Sequence, residues 1–454
     1  MKRLELTITA LSPLAIGRQK PGGSISEAET YIPGTVVRGA IAAQILQQAS
    51  QQHPHIRTTD LTQNTGGAEN NDFHDLFLGD SPAVFHNAYP AIAKVGKASQ
   101  DNPEQELARL VTDQVYVVPA TAVSSKDEPG FKWEQDRDTP GKQPGGVFDT
   151  LIDRFCAEAY NQPYDPSCPK DCSRVEPFSG FYSKTSDAGI KHQYRSHAVS
   201  TRFLTRVGIN RRRATAEDEI LYSIEVLNES FLSKKGKRPQ WESVAYRSSI
   251  LIPDDLEALA ERLKTYINQH SNNFRLGGST SRGLGKVKIT ANEGQEVEDI
   301  ATRIEVFNHT LRDRWDLWAG APESDRLENQ LYFTLDLQAD AILTESWKRT
   351  TVISETMLQQ FASITDSSLK LEGAYSSYDY RSGWNAGWGL MKDMELVTNK
   401  GAVYLFSVDK DRETEWIGAL ETLEEKGVGD RTCEGFGQVQ ICNEFHLVFR
   451  EEPV

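Results

Sequence analysis

Apolar and polar residues alternate at the start of the chain. In "MKRLELTITALSPL", Leu4, Leu6 and Ile8 are interleaved with Arg3, Glu5 and Thr7. A period of two predicts a half-buried strand over residues 3–11 rather than a secretory leader. The period then changes. In "IPGTVVRGAIAAQILQQ" (32–48), Val37, Ile41 and Ile45 recur at helical spacing behind Pro33-Gly34, with Thr35 placed to cap. The polar stretch 47–72 and "SSKDEPGFKWEQDRDTPGKQPGG" (124–146) read as loops, and "VFDTLIDRFCAEAY" (147–160) as a helix. "EILYSIEVLNE" (219–229) alternates as a strand. "PDDLEALAERLKTYINQHSN" (253–272) sets Leu256, Leu259, Leu263 and Ile267 on one helical face, with Asp254 or Asp255 as cap. "LGKVKI" after it alternates again.

The first 290 residues therefore run strand, helix, strand or strands, helix, strand, with insertions. That is the order of a ferredoxin-like βαββαβ unit. The second half repeats it in degenerate form. "LYFTLDLQA" (331–339) and "GAVYLFSV" (401–408) read as strands, and 409–441 as helix, glycine-rich loop and strand. "GSTSRGLGKVKI" (278–289) matches "GDRTCEGFGQVQI" (429–441) through a shared G-x-G-[KQ]-V-[KQ]-I. The pattern breaks over 295–328. The expectation is an α+β chain of two ferredoxin-like, RRM-like units. The first spans 1–295, with insertions at about 50–200, and the second spans 325–454.

Composition narrows the class. At 454 residues, 38% hydrophobic and 25% charged, the chain fits a soluble protein of two domains, or of one with large insertions, and no apolar run reaches membrane-spanning length. A cytoplasmic location is expected. A net charge of −15 argues against nucleic acid, but its distribution changes that picture. Ala188 to Ala216 holds no acidic residue and carries Lys191, Arg195, Arg202, Arg206, Arg211, Arg212 and Arg213. The bland alternative is a solvated strand-and-loop face. Five cysteines suit a reducing compartment rather than a disulfide framework.

"RLGGSTSRGLGKVKI" (275–289) is the densest candidate for chemistry. Gly278 and Gly283 have the spacing of a triphosphate-binding loop, but Leu284 stands where its lysine belongs, and this loop runs from helix into strand, the reverse of that motif. Glycines allow close backbone approach, and clustered amides make an anion-binding concavity. Ser279, Ser281, Arg282 and Lys286 add donors and charge, which suits an RNA backbone. A plain tight hairpin is the alternative.

Together these elements resemble the RAMP superfamily of CRISPR-associated proteins, whose signature is a glycine-rich loop after the second helix of a ferredoxin-like unit. "YIPGTVVRGAIAA" (31–43) is similar to that superfamily's Pro-Gly-x-x-x-[RK]-Gly element, and "VGINRRRATAEDEILYSIEVL" (207–227) to the segment leading into its third strand. Two fused units at this length most resemble the large handle-binding subunit of type III-D effector complexes. The resemblance implies a structural role: holding the 5′ handle of the crRNA and docking on the large signalling subunit beside backbone RAMP subunits. Carried over, Gly277, Gly278, Ser279, Ser281, Arg282, Gly283, Gly285 and Lys286 would contact RNA, as would Arg38. Arg211 to Arg213 are next, and Arg431 in the second loop is a further candidate. Glu434 is unfavourable near phosphate, so the second loop is also a candidate protein-docking surface.

Catalysis is not expected. The superfamily's processing nucleases often keep a histidine at the first strand–helix junction, and this chain has none there. Its RNA-slicing subunits carry an Asp in an early loop; residues 17–34 here offer Glu27 and Glu29 only. An endoribonuclease is the competing reading, and a tandem RNA-recognition protein outside CRISPR is a third. Cys156, Cys168 and Cys172, with His192 or His197 as fourth ligand, form a candidate structural zinc site, against a reading as loop and core thiols. "YSSYDYRSGWNAGWGL" (375–390) places Tyr375, Tyr378, Tyr380, Trp384 and Trp388 around Arg381, a candidate base-stacking surface or a protein interface.

Overall fold

The first strand, β1 (Lys2–Ala10), buries Leu4, Leu6, Ile8 and Ala10 completely, as its alternation predicts. The structure is a computed structural model. It describes residues 1–18, 27–52, 72–97, 106–132, 144–185, 193–210, 215–233, 238–294, 299–321, 323, 327–385 and 390–454. The protein is α+β and divides into two compact units. The first gathers residues 1–112, 198–294 and 380–395, the second 113–197, 295–379 and 396–454. Much of the stretch expected as an insertion in the first unit, 113–197, thus clusters with the second.

In the first unit β1 is followed by α1 (Gly34–Gln52), β2 (Val84–Phe85), the long hairpin β3 (Thr201–Asn210) and β4 (Thr215–Leu227), β5 (Ala245–Ile252), α2 (Glu257–Gln269) and β6 (Val287–Glu293). The main sheet has the order β6-β1-β5-β2, every pair antiparallel. Ile8 lies opposite both Tyr246 and Ile289, so the buried positions of three strands share one face. Against them pack Val37 and Ile41 of α1 and Leu259, Leu263 and Ile267 of α2. The helix starts differ from expectation. Thr35 lies inside α1, whose Gly34 amide donates to Asn87 Oδ1 at 2.8 Å instead. Asp254 and Asp255 form a short 3-10 turn, and α2 has no side-chain cap.

The second unit opens its C-terminal part with α3 (Ile300–Ala319), a helix where the sequence pattern suggests a break. Ile300, Ile304, Phe307, Leu311 and Trp315 recur at helical spacing and are buried. The polar segments on both sides mask this stripe. There follow β7 (Gln330–Leu337), the tight hairpin β8 (Leu343–Glu345) and β9 (Lys348–Thr350), α4 (Glu355–Ala362), β10 (Lys370–Tyr375), β11 (Val403–Asp409), α5 (Glu413–Lys426) and β12 (Val439–Ile441). The sheet order is β10-β11-β7-β12, again antiparallel. Read by position in the repeat, both sheets have their first strand between the third and the fourth. Phe333 stacks on Phe406 at 5.7 Å, and fully buried Trp416 of α5 donates its indole N–H to Asp366 at 2.8 Å. The segment expected as a helix over 147–160 splits: Val147–Asp149 is a strand, and the helix runs Leu151–Ala159. Among the described residues no helix is long and apolar enough to cross a membrane.

Candidate nucleic-acid interface

The glycine-rich loop between α2 and β6 is a tightly bonded turn. Gly277, Gly283 and Gly285 have φ of +81°, +85° and +79°, and Ser279 also sits in the left-handed region at +55°. A Cβ on Gly277 would stand 2.4 Å from Ala15 O, and one on Gly285 2.4 Å from Leu276 O. These glycines are required by conformation and by close approach of backbone to backbone. The amides are mostly spent. Gly278 N donates to Ala15 O (2.8 Å), Arg282 N to Ser279 O (2.9 Å), Gly285 N to Pro13 O (2.9 Å), and Leu276 N to Gly285 O (2.8 Å). Lys286 N donates to Ser12 Oγ at 2.8 Å. Those amides therefore do not form the open anion concavity expected from the glycine count. The loop presents side chains instead: Thr280, Ser281, Arg282 and Lys286 are exposed and Ser279 is half-buried.

The β3–β4 hairpin stands over this loop within the same unit. Its inner face, Leu204, Ile224 and Val226, packs on Ala15 and Leu284 of the loop region. Tyr222 OH accepts from Arg282 Nη1 at 2.6 Å, and the guanidinium lies 5.9 Å from the Tyr222 ring centre. Arg206 donates to Arg282 O at 3.4 Å. The outer face exposes Phe203, Val207 and Ile209 at 57%, 47% and 66%. The hairpin thus sets an aromatic hydroxyl against the basic turn on one face and exposes apolar side chains on the other, groups able to meet phosphates and unstacked bases respectively. Sequence reasoning missed Tyr222 and this apolar face. The alternation in "TRFLTRVGIN" carries the signal, but attention to its arginines hid it.

The other expected contacts are placed as follows. Arg38 turns toward α1's own neighbours: its guanidinium donates to Phe77 O at 2.5 Å and lies 5.5 Å from the Phe77 ring. Arg211, Arg212 and Arg213 lie outside the described residues. Arg202, from the same basic stretch, pairs with Glu229 at 2.8 Å. In the second unit Arg431 pairs with Glu434 at 2.5 Å and covers Phe436 at 5.0 Å. Tyr375 is half-buried against the second core with Arg154 5.4 Å from its ring, whereas Tyr378 and Tyr380 are exposed. Arg381 pairs with buried Glu29 in the first unit. The side chains of Trp384 and Trp388 lie outside the described residues.

The described buried histidines are structural in their surroundings. His86 bonds Ser249 Oγ at 2.8 Å; burial, with Arg3 nearby, lowers its pKa to about 3, so the ring is neutral. His197 bonds Ser183 Oγ at 2.8 Å. His446 lies between Asp336 (2.8 Å) and Asp149 (3.2 Å). Burial opposes its charge, but the two carboxylates outweigh burial and raise its pKa to about 10. His53, His55 and His192 lie outside the described residues.

Of the expected metal quartet the three cysteines are described, and His192 is not. Cys156 is buried in the second core, where burial pushes its thiol up to about 12. Cys168 is buried against Gly145, whose added Cβ would stand 2.8 Å from its Sγ, and Cys172 is exposed. Among the described residues no group of three or more His, Cys, Asp or Glu side chains is placed to hold a metal ion.

A family model for the RAMP superfamily matches residues 7–288. No curated protein matches the chain at a significant level. Among solved structures, a chain of the type III-B Cmr-beta complex bound to cognate target RNA and AMPPnP is 9% identical, with a TM-score of 0.36 over 91% of this chain and 93% of that one. Oligomeric Cmr4 from Pyrococcus furiosus is 12% identical, with a TM-score of 0.25 over 64% of this chain and 99% of that one. The apo type III-B Cmr-beta complex gives 9%, 0.28, 64% and 97% for the same four measures.

Proposed function

The chain belongs to the RAMP superfamily, and from that premise we propose that it is a non-catalytic crRNA-binding subunit of a type III CRISPR effector complex. The finer reading is a III-D-like subunit of two ferredoxin-like units that caps the 5′ handle and docks on the large signalling subunit and backbone RAMP subunits. Both strand orders, with the first strand between the third and fourth, support the two-unit reading.

The observation that carries the RNA assignment lies in the first unit: exposed Arg282 and Lys286, with Tyr222 on the loop-facing side of the hairpin bonded to Arg282, while the hairpin's other face exposes Phe203, Val207 and Ile209. Cations there meet phosphates, and the apolar and aromatic groups meet unstacked bases. Non-catalysis is supported by the first strand–helix junction, residues 11–33, which holds no histidine.

The test is recovery of the chain from its native cells, followed by sequencing of the bound RNA. Short RNAs that begin with a common repeat-derived handle are expected, along with intact repeat RNA after incubation with the purified chain. Cleaved repeat RNA would instead establish the endoribonuclease reading. Absence of RNA would remove the assignment altogether.

A further inference from the structure

In the second unit the strand corresponding to β1 is followed at once by the β8–β9 hairpin, whose two-residue turn is Ser346-Trp347. Both residues have positive φ, 49° and 65°. Positive φ at both central positions is the type I′ arrangement, for which Asn-Gly is the favoured pair. A tryptophan there is among the least favoured choices. It is also 100% exposed, the extreme value among the exposed large hydrophobics of the described residues. Local stability and solubility both argue against an indole at this point, so its use has to come from outside the unit.

The hairpin is held in place. Ile342 bridges Asp430 of the second glycine loop, Arg349 pairs with Asp430 at 2.8 Å, and Ser354 bonds Glu345. The indole is therefore presented on a fixed support, which lowers the entropy lost on binding. Both arginines of the support are compensated, which leaves Lys348 beside the indole as an exposed cation. Arg349 is spent on Asp430 and Arg431 on Glu434. A polyanion needs uncompensated cations, as at Arg282 and Lys286 of the first unit. A protein pocket does not, and buried Trp is the residue type most enriched at interface hot spots.

We propose that Trp347 is a protein-docking anchor. It inserts into an apolar pocket of a neighbouring protein, with exposed Lys348 beside it meeting an acidic rim. The inference rests on the chain working within an assembly, as proposed above.

The test is hydroxyl-radical footprinting of Trp347 by mass spectrometry, on the isolated chain and on the assembly recovered through a tag on this chain, before and after ribonuclease treatment. Protection of at least about fivefold in the assembly, unchanged by ribonuclease, is the expected result. A second arm uses the double substitution Ser346→Asn with Trp347→Gly. The Asn-Gly turn is expected to hold or raise Tm. The same variant should lose the neighbour's protection of its hairpin and weaken docking by at least about tenfold. Equal oxidation in both samples overturns the proposal. So does protection that ribonuclease abolishes, which would make the indole a base-stacking contact. If the chain is recovered alone, without RNA or protein, the functional reading itself fails and this inference falls with it.

Discussion

The two glycine-rich loops have one backbone and two chemistries. Gly277 and Gly429 have φ of +81° and +80°, Gly283 and Gly435 +85° and +92°, and Gly285 and Gly437 +79° and +64°. Ser279 and Arg431 both take the left-handed conformation, and each precedes a 3-10 turn. The bonds correspond as well. Gly278 N reaches Ala15 O at 2.8 Å and Asp430 N reaches Ile342 O at 2.9 Å, while Gly285 N and Gly437 N reach Pro13 O and Asp340 O, each at 2.9 Å. On this common frame the first loop exposes Arg282 and Lys286, and the second closes Arg431 onto Glu434. The glycines specify how the turn closes on the first strand of its unit, and the residues between them choose what the turn can hold. A glycine pattern is therefore evidence of fold, and only the intervening charges are evidence of RNA.

The largest expected effects test the common frame. A Cβ on Gly437 would stand 1.8 Å from Val428 O, and on Gly285 2.4 Å from Leu276 O, each at positive φ. Gly437→Ala and Gly285→Ala should each cost about 3 kcal/mol or more in urea unfolding, because neither backbone contact can relax. Gly283 also has positive φ but meets nothing within 4 Å, so Gly283→Ala should cost only about 1 kcal/mol. Equal costs at Gly283 and Gly285 would show that close approach contributes nothing and would break the argument from the frame.

The units also differ in their buried histidines, which gives opposite pH limits. His446 has a folded pKa of about 10, raised from 6.5. Its contribution is complete below about pH 6.5 and is lost as pH rises through about 10. His86 has a folded pKa of about 3. Its contribution is present above about pH 6.5 and is lost as pH falls toward 3. Each limb has a slope of at most about 1.4 kcal/mol per pH unit. Urea midpoints measured from pH 4 to 10 should show His446→Gln flattening the alkaline limb, at a cost of about 3–5 kcal/mol near neutrality because Asp149 and Asp336 lose their counter-charge. His86→Gln should flatten the acid limb. A pH profile that neither substitution changes would contradict both assignments.

How much of this was legible in the sequence follows from which forces are local. β1, α1 and α2 were visible because one buried face repeats along each, and the loop repeat was visible because positive φ and close approach leave only glycine. The strand at Val147–Asp149 was misread as helix because a run buried on all sides has no period to detect. α3 has a clear stripe, but the polar runs around it drew the boundary through it. The site was half legible. Arg282 and Lys286 stood out by charge, while Tyr222 contributes through a contact about sixty residues distant that spacing cannot reveal. Arg38 and Arg431 looked alike as cations, and only their partners, Phe77 and Glu434, separate them from Arg282.

At the surface proposed to hold RNA the contrast should appear in salt dependence. Arg282→Ala with Lys286→Ala removes two cations that carry no buried ion pair, so folding should be unchanged within about 0.5 kcal/mol. Affinity for a handle-containing RNA should fall about 10- to 100-fold, and the slope of log K against log salt should decrease by about 1.4, as expected for two phosphate contacts on a single strand. Fluorescence titration at several salt concentrations reads both quantities. An unchanged slope would mean that these side chains do not face phosphate.

The smallest effect is the sharpest test of the comparison. Arg431→Ala removes a cation of the same type from the second turn, at the position that Ser279 holds in the first, yet Glu434 already neutralises it at 2.5 Å. RNA affinity should change by less than about twofold, because a compensated pair releases few counterions. The partner substitution Glu434→Arg, which copies Arg282 onto the second frame, leaves two cations without that carboxylate. It should raise non-specific affinity by about two- to threefold at low salt, and the gain should vanish near physiological salt, where exposed charges are screened within about 8 Å. If Arg431→Ala weakens binding as much as Arg282→Ala does, the ion pair opens on contact with RNA, and the two loops differ in their resting chemistry but not in what they hold.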